Sequence, residues 1–251
     1  MSFKSFIYKI LSLAGYNLIK VPKGTSKTFR AELERFESFG SLREWQQIML
    51  YGEVFTKIID IPGDIAEFGV STGTSFKAFL RFTEILNKSL FNAISKKSVY
   101  GFDTFEGLPE LTLQDNSSSN VTNKKGDFES LSTLDNLRKF VELYSCGEII
   151  KGDFRETLKP FIEKYPHTSF SLIHIDCDIY SSTNYVLETI AKRLSIGGII
   201  LFDEIFHKNY PGETQGFLDF YNNLSSSNEK IKLDFKRSVA MPWKWYCIRI
   251  E

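Results

Sequence analysis

From residue 64 onward the chain alternates between short apolar runs and longer stretches with apolar residues at helical spacing. The short runs DIAEFGV (64–70), SVYGFD (98–103), EIIKGD (148–153), FSLIHID (170–176) and GIILFDE (198–204) predict strands. The periodic stretches between them, at about 74–88, 130–144, 155–165, 182–195 and 213–224, predict helices. This alternation implies right-handed crossovers and a mostly parallel sheet covered on both faces. The tail departs from it. KIKLDFKR and KWYCIRI have no helix between them, which predicts an antiparallel pair at one sheet edge.

Ahead of residue 64 the pattern is helical. TFRAELERFESFG and SLREWQQIMLYGEVFTKIID read as helices, the second with Leu42, Trp45, Ile48 or Met49, Phe55 and Ile59 on one stripe. At the start, Phe3, Phe6, Ile7, Ile10 and Ala14 recur at helical spacing, interrupted by Lys4 and Lys9. That run is too short and broken to span a bilayer, and no cleavage site follows it. An amphipathic helix is expected, packed on the protein or a second subunit, or in weak contact with a membrane surface. Residues 1–60 are thus read as a helical extension and 61–251 as the main domain. The polar stretch PELTLQDNSSSNVTNKKGD resists assignment and is read as a lid over residues 109–128, its two glycosylation sequons as accidental.

Charge removes one class of function. The 31 basic and 31 acidic residues cancel, so nothing suggests an electrostatic grip on nucleic acid. Cys146, Cys177 and Cys247 form no C-x-x-C pair and read as buried small hydrophobes, which favours a reducing, cytoplasmic compartment.

Ligands of an open parallel sheet sit beyond the carboxyl ends of its strands. The first end, AEFGVSTGTS, places Glu67, Gly69, Ser71, Gly73 and Ser75 at every second position. Small residues there let a ligand approach the backbone, and the next helix offers free N–H groups. The segment has neither the dinucleotide fingerprint nor a P-loop; acid-x-Gly-x-small-x-Gly is the usual first motif of S-adenosylmethionine (SAM) binders, with tight packing the alternative. The second strand ends in Asp103-Thr104, a ribose acceptor or a turn cap. The third ends in Asp153-Phe154. Here the acid is a helix cap, in a box with Glu156, or an acceptor for adenine beside a flat apolar face.

The fourth and fifth strands end in HIDCDIY and FDE. As neighbours they would bring Asp176, Asp203 and Glu204 together, where three carboxylates repel one another. Neither tip contains Lys or Arg, so a hard divalent ion such as Mg²⁺ is the simplest remedy, separate surface caps being the alternative. Asp178 is expected to orient this loop through backbone hydrogen bonds. His174 reads as a satisfied core histidine and His207 as a second base or acceptor contact.

Together AEFGVSTGTS, VYGFDTFEGLPE, KGDFRETLKPF, LIHIDCDIYSST and LSIGGIILFDE resemble the macrocin O-methyltransferase (TylF/MycF/NovP-like) family, in that family's order, from about Glu67 to Phe220. The family's members are SAM- and metal-dependent and methylate sugar hydroxyls. The resemblance implies a class I SAM-methyltransferase fold: α/β, Rossmann-like and doubly wound. Its mostly parallel seven-stranded sheet would carry an antiparallel carboxyl-terminal strand. It places SAM near Glu67, Gly69, Ser71, Gly73, Ser75, Asp103, Thr104, Asp153, Phe154 and Asp176, and Mg²⁺ on Asp176, Asp203 and Glu204. Asp176 would take the hydroxyl proton. The family usually ends the fifth strand Asp-Asp, so Glu204, longer by a methylene, is a departure. A sugar hydroxyl of a glycoside, nucleotide sugar or surface-polysaccharide precursor is the implied acceptor, the 1–60 extension shaping its pocket or a dimer contact in a homo-oligomer. The composition, rich in Lys, Asn, Ile and Phe, has a bacterial look. A nicotinamide-dependent sugar oxidoreductase would share the sheet but has no use for three gathered acids. A non-catalytic domain docking through the first helix would tolerate their loss.

Overall fold

The computed structural model describes residues 42–89, 96–117, 123–208, 210–226 and 231–251. The helices expected before residue 41 and part of the polar 109–128 stretch lie outside them. The chain divides into two units, Met1–Trp45 and Gln46–Glu251. Of the first, only the opening turn of a helix is described.

Among the described residues one sheet is formed by β1 (Asp64–Phe68), β2 (Val99–Asp103), β3 (Gly147–Lys151), β4 (Phe170–Ile175), β5 (Leu194–Phe202), β6 (Leu233–Arg237) and β7 (Trp245–Arg249). Its order is β3-β2-β1-β4-β5-β7-β6, with β1 to β5 parallel and β7 antiparallel to both its neighbours. The helices are α1 (Leu42–Lys57), α2 (Thr74–Ser89), α3 (Leu113–Ser117), α4 (Leu131–Val141), α5 (Phe154–Lys164), α6 (Tyr180–Ile190) and α7 (Gly212–Ser226). None is long and apolar enough to cross a membrane. The strand order reverses between β1 and β4, so a ligand crevice is expected at their carboxyl ends.

Both faces of the sheet are covered, which is why its central strands read as continuous apolar runs. Every residue of β4 is buried. On one face Ala66, Phe68, Phe102, Ile173, Ile175 and Phe202 pack with Leu158, Phe161, Val186 and Phe217 of α5, α6 and α7. On the other, Ile65, Val99, Leu172, Ile199 and Leu201 meet α1, α2 and α4 through Val54, Phe55, Phe79 and Leu137. At the amino ends of the strands the buried Lys97 ammonium donates to the carbonyls of Ile61 and Gly63 and to Ser171 Oγ.

Two expectations are corrected. In α1 the sheet takes Leu50, Tyr51, Val54, Phe55 and Ile58, whereas Leu42, Trp45 and Met49 are exposed. The helix carries apolar residues on opposite sides, and the expected stripe mixed the two. The helix expected over 182–195 ends at Ile190; a 3₁₀ turn, Ala191–Arg193, follows and β5 starts at Leu194. The cause is a register shift. Phe170 faces Leu194 but Leu172 faces Ile199, and the extra residues bulge at Gly197, whose φ of +84° suits glycine. Within the 109–128 stretch α3 forms, tied down by the buried Asp115 carboxylate, which accepts from Thr112 N–H and Oγ1 and from Ser181 N–H.

Gly69, at the switch point, has φ +93°, and a Cβ there would lie 1.7 Å from the Asp176 carbonyl oxygen. Gly69→Ala is expected to lower the unfolding free energy by about 3 kcal/mol or more. Urea denaturation measures this, and a loss below about 1 kcal/mol would contradict the close approach of these two strand tips.

Candidate functional site

The tips of β1, β2, β4 and β5 open into one cavity of about 300 Å³. Five non-glycine residues in the loops at this end hold positive φ: Ser71 (47°), Phe105 (58°), Phe128 (64°), Asp178 (60°) and Phe206 (62°). Such backbone strain gathers where side chains must be aimed. Ser71, Phe128 and Asp178 line the cavity itself.

One side of the cavity is built by β1, β2 and the start of α5. Gly69, Ser71, Asp103, Thr104, Asp153 and Phe154 line it, as the sequence pattern anticipates. Asp103 bridges two strand tips: Oδ2 accepts from Ser71 N–H at 2.7 Å and Oδ1 from Phe105 N–H at 2.6 Å. Asp153 caps α5, with Oδ1 accepting from Arg155 N–H at 2.8 Å, so the capping and cavity-lining readings hold together. Phe154 stands edge-on to Phe68, with centroids 5.5 Å apart.

Glu67, Gly73 and Ser75 are not among the lining residues. Glu67 lies fully buried beneath the floor and meets His174 Nδ1 at 2.9 Å; burial raises its pKa, and the His174 contact opposes that. His174 also meets Phe79 edge-on at 5.3 Å and is a satisfied core histidine. Glu67, His174 and Asp176 each present a possible ligand atom, all within 4.8 Å of one another, but the first two are already engaged with each other. At Gly73, with φ +81°, a Cβ would stand 2.5 Å from Leu137 Cδ1. Ser75 is buried in α2.

The other side of the cavity is acidic. Asp176 N–H donates to Phe68 O and Asp203 N–H to Ile175 O, both at 2.9 Å, so pairing of adjacent strands sets these tips side by side. Asp176, Asp178, Asp203 and Glu204 all line the cavity. Burial, and then the Asp203 charge, push the Asp176 carboxyl well above the usual range. Asp178, expected to brace its loop, has a left-handed backbone (φ +60°) and lines the cavity beside these acids. Burial, then Glu204 and Asp203, push it up to about 7. His207 is exposed outside the lining, its ring 5.4 Å from Tyr210.

Three contributors were not legible as site residues. Glu213, in the first turn of α7, is fully buried; Oε2 accepts from Glu204 N–H at 2.8 Å, and Oε1 has no hydrogen-bond partner. Lys244, just before β7, is buried and donates to Asp203 through both its carboxylate and its carbonyl. Tyr51 of α1 is buried close enough to Glu67, Asp203 and Asp176 for their charges to raise its hydroxyl pKa, after burial itself. An acid in a first turn reads as a dipole complement, and Lys244 lies 41 residues from Asp203, so only the fold reveals either role.

The expectation that no basic group offsets the acids is therefore corrected, because the antiparallel edge delivers one. In kind the donors still suit a hard cation: Asp176, Asp203 and Glu204 bring carboxylates to one cavity, with the orphaned, buried Glu213 Oε1 near Glu204, although among the described residues the ligand atoms within 4.8 Å of one another are those of Glu67, His174 and Asp176.

Residues 47–235 match the family model described as macrocin-O-methyltransferase (TylF). The 8-demethyl-8-(2,3-dimethoxy-alpha-L-rhamnosyl)-tetracenomycin-C 4'-O-methyltransferase of Streptomyces olivaceus is 27% identical over 158 residues, 57% of this chain and 53% of that protein. The match thus spans about half the length of that relative. Calicheamicin methyltransferase CalS11 superposes with a TM-score of 0.74 at 22% identity, covering 99% of this chain and 93% of that one. A second structure of it is described as a TDP-rhamnose 3'-O-methyltransferase (TM-score 0.68, 21% identity, 99% and 95% covered). The O-methyltransferase NovP gives 0.54 at 17% identity, with 81% and 80% covered. At these identities the structural likeness is one of fold.

Asp178 yields a test in chelator. Its raised pKa means that the folded chain keeps a proton which the unfolded chain releases near pH 4. Wild-type stability should therefore fall, relative to Asp178→Asn, as pH rises from about 4 to about 7. Asparagine also tolerates the φ of +60°. In EDTA at pH 8, Asp178→Asn is expected to be more stable by about 2–4 kcal/mol. Parallel urea curves at pH 5 and 8 measure the difference, and identical pH dependence of the two proteins would refute it.

Proposed function

The chain belongs to the macrocin O-methyltransferase family, and from that premise we propose that it transfers the methyl group of SAM to a sugar hydroxyl with the help of Mg²⁺. The observation that carries the proposal is one cavity at the switch point with two unlike halves. One half suits a nucleoside, through Asp103, Asp153 and Phe154, and the other gathers Asp176, Asp203 and Glu204.

On the nucleoside side, Asp103 accepts from the ribose hydroxyls with the lone pairs that its two backbone contacts leave available. Phe154 offers a flat face to adenine, and Asp153 offers an acceptor to its amino group. Gly69 and Ser71 let the donor lie against the backbone, with Thr104 beside the ribose site. Glu67, Gly73 and Ser75 act from beneath, shaping the turn that holds these groups.

On the acidic side, Asp176, Asp203 and Glu204 hold the ion, and Glu213 anchors the Glu204 backbone. When bound, the ion supplies Lewis-acid charge beside the reacting hydroxyl. The hydroxyl oxygen attacks the sulfonium methyl in line. A carbon–oxygen bond forms, the carbon–sulfur bond breaks, and S-adenosylhomocysteine leaves neutral at sulfur. Asp176, at the tip of β4 and in the cavity lining, receives the hydroxyl proton. His207, exposed and outside the lining, is assigned a contact with the acceptor.

Relatives named for rhamnosyl and TDP-rhamnose acceptors support a glycoside or nucleotide-linked sugar. Leu108, Pro109 and Phe128 at the rim support a lid over 109–128. The 1–60 extension is assigned to the acceptor pocket or to a contact between copies. The three free, buried cysteines support a reducing, cytoplasmic setting.

Calorimetry with S-adenosylhomocysteine should show binding, and NAD none. Methyl transfer to TDP-rhamnose and rhamnosides, followed by mass gain, should stop in EDTA and return with Mg²⁺. Asp203→Ala is expected to slow transfer by about 100-fold or more with cofactor affinity nearly kept. Asp103→Ala should weaken cofactor binding by about 10-fold or more. Full activity in chelator would remove the metal from the proposal, and NAD binding in place of S-adenosylhomocysteine would remove the methyl donor.

A further inference from the structure

We infer that the Lys244 ammonium is a resident counter-cation of the acid cluster: it holds Asp203 in place and lowers the affinity of the site for a divalent ion. The inference rests on the metal-assisted reading of the cavity. Lys244 itself lies beyond the family match, which stops at residue 235.

Lys244 is not a surface lysine that happens to fold inward. Only 8% of it is exposed, and its ammonium donates to the carboxylate and carbonyl oxygens of Asp203. The loop between β6 and β7 that presents it is fastened at both ends. Ser238 N–H donates to Lys244 O at 3.0 Å, and Lys244 N–H to Met241 O at 2.8 Å. The Glu53 carboxylate of α1 accepts from Ser238 Oγ (2.9 Å), Val239 N–H (3.0 Å), Ala240 N–H (3.4 Å) and Tyr246 Oη (3.0 Å). A carboxylate with four donors fixes the loop, and the loop fixes the ammonium.

Fixed charge at that place has two consequences. Asp176, Asp178, Glu204 and Glu213 crowd around Asp203, and a lysine among them reduces the repulsion that folding would otherwise meet before any ion arrives. The same ammonium repels an incoming divalent cation and occupies the Asp203 oxygen nearest to it. Asp203 therefore reaches an ion with one carboxylate oxygen, and the ion binds more weakly than the acids alone would hold it.

The test titrates Mg²⁺ into the full chain at pH 8, by calorimetry and by thermal shift, for wild type, Lys244→Met and Lys244→Arg. Lys244→Met is expected to melt lower than wild type without metal, and to bind Mg²⁺ about tenfold more tightly or better. Lys244→Arg should stay within about threefold of wild type, because it keeps the charge. Equal or weaker Mg²⁺ binding by Lys244→Met overturns the inference. So does an equal gain in both variants, or no Mg²⁺ binding by any of the three. If Lys244→Met does not fold, Glu53→Gln loosens the same loop without touching an acid of the cavity; it too should tighten Mg²⁺ binding, and no change would overturn the inference. S-adenosylhomocysteine binding and methyl transfer by wild type separate this from the underlying reading: a chain that binds neither cofactor nor acceptor fails as a methyltransferase whatever its metal affinity.

Discussion

Two backbone hydrogen bonds, Asp176 N–H to Phe68 O and Asp203 N–H to Ile175 O, commit the molecule to a concentration of negative charge. They are ordinary ladder bonds of a parallel sheet, and they leave the acids beyond β4 and β5 no freedom to separate. In a cavity partly shut off from water, like charges held this close raise one another's pKa values. Burial and mutual repulsion do so for Asp176, Asp178 and Glu213. Much of the surrounding architecture answers that constraint. Lys244 arrives from the antiparallel edge, and Glu213 spends its one engaged oxygen on the Glu204 backbone rather than on another acid. A cation drawn into the cavity would complete what the lysine begins.

The two ends of the sheet are built on opposite terms. At the amino ends the Lys97 ammonium finds two carbonyls and a hydroxyl, and the strand entrances are simply braced. At the carboxyl ends the backbone is strained and the acids crowded. Stability comes from the covered faces, where β4 is buried along its whole length. The carboxyl ends draw on it, as expected where a fold must aim reactive groups at one another. Asp103 shows how finely this is divided: the residue whose Oδ2 ties the tip of β2 to Ser71 beyond β1 also lines the cavity.

What could be read from the sequence was what local pattern encodes. Alternating period set the strands and crossovers, and acids at the ends of apolar runs marked the cavity, because a parallel sheet places strand ends together whatever its side chains are. Features that depend on comparing distant parts of the chain were out of reach. Residues such as Trp45 and Met49 are apolar and helically spaced, yet the sheet takes the opposite side of their helix. The early start of β5 hangs on a bulge at Gly197 that periodicity cannot register. Asp115 sits in the polar stretch read as a lid, and nothing local marks it as the buried tether that reaches Ser181. Lys244 sits in a tail that reads only as strand, and its partner is set by which edge that strand joins.

That last dependence bears on how such a site differs between relatives of one fold. The half around Asp103 and Asp153 is assembled from β1, β2 and the start of α5, pieces of the parallel core whose positions the winding itself dictates. The acidic half borrows from α7 and from the loop between β6 and β7, which meets the parallel core only through the pairing of β7 with β5 and is held by Glu53 of α1 through four hydrogen bonds. A change on the solvent side of that loop, at Val239 or Trp243, both well exposed, would reach the clustered acids through Lys244 without altering any of them. The half of the cavity around Asp103 is therefore tied to the fold, whereas the charge balance around Asp203 is set by an edge that can vary separately.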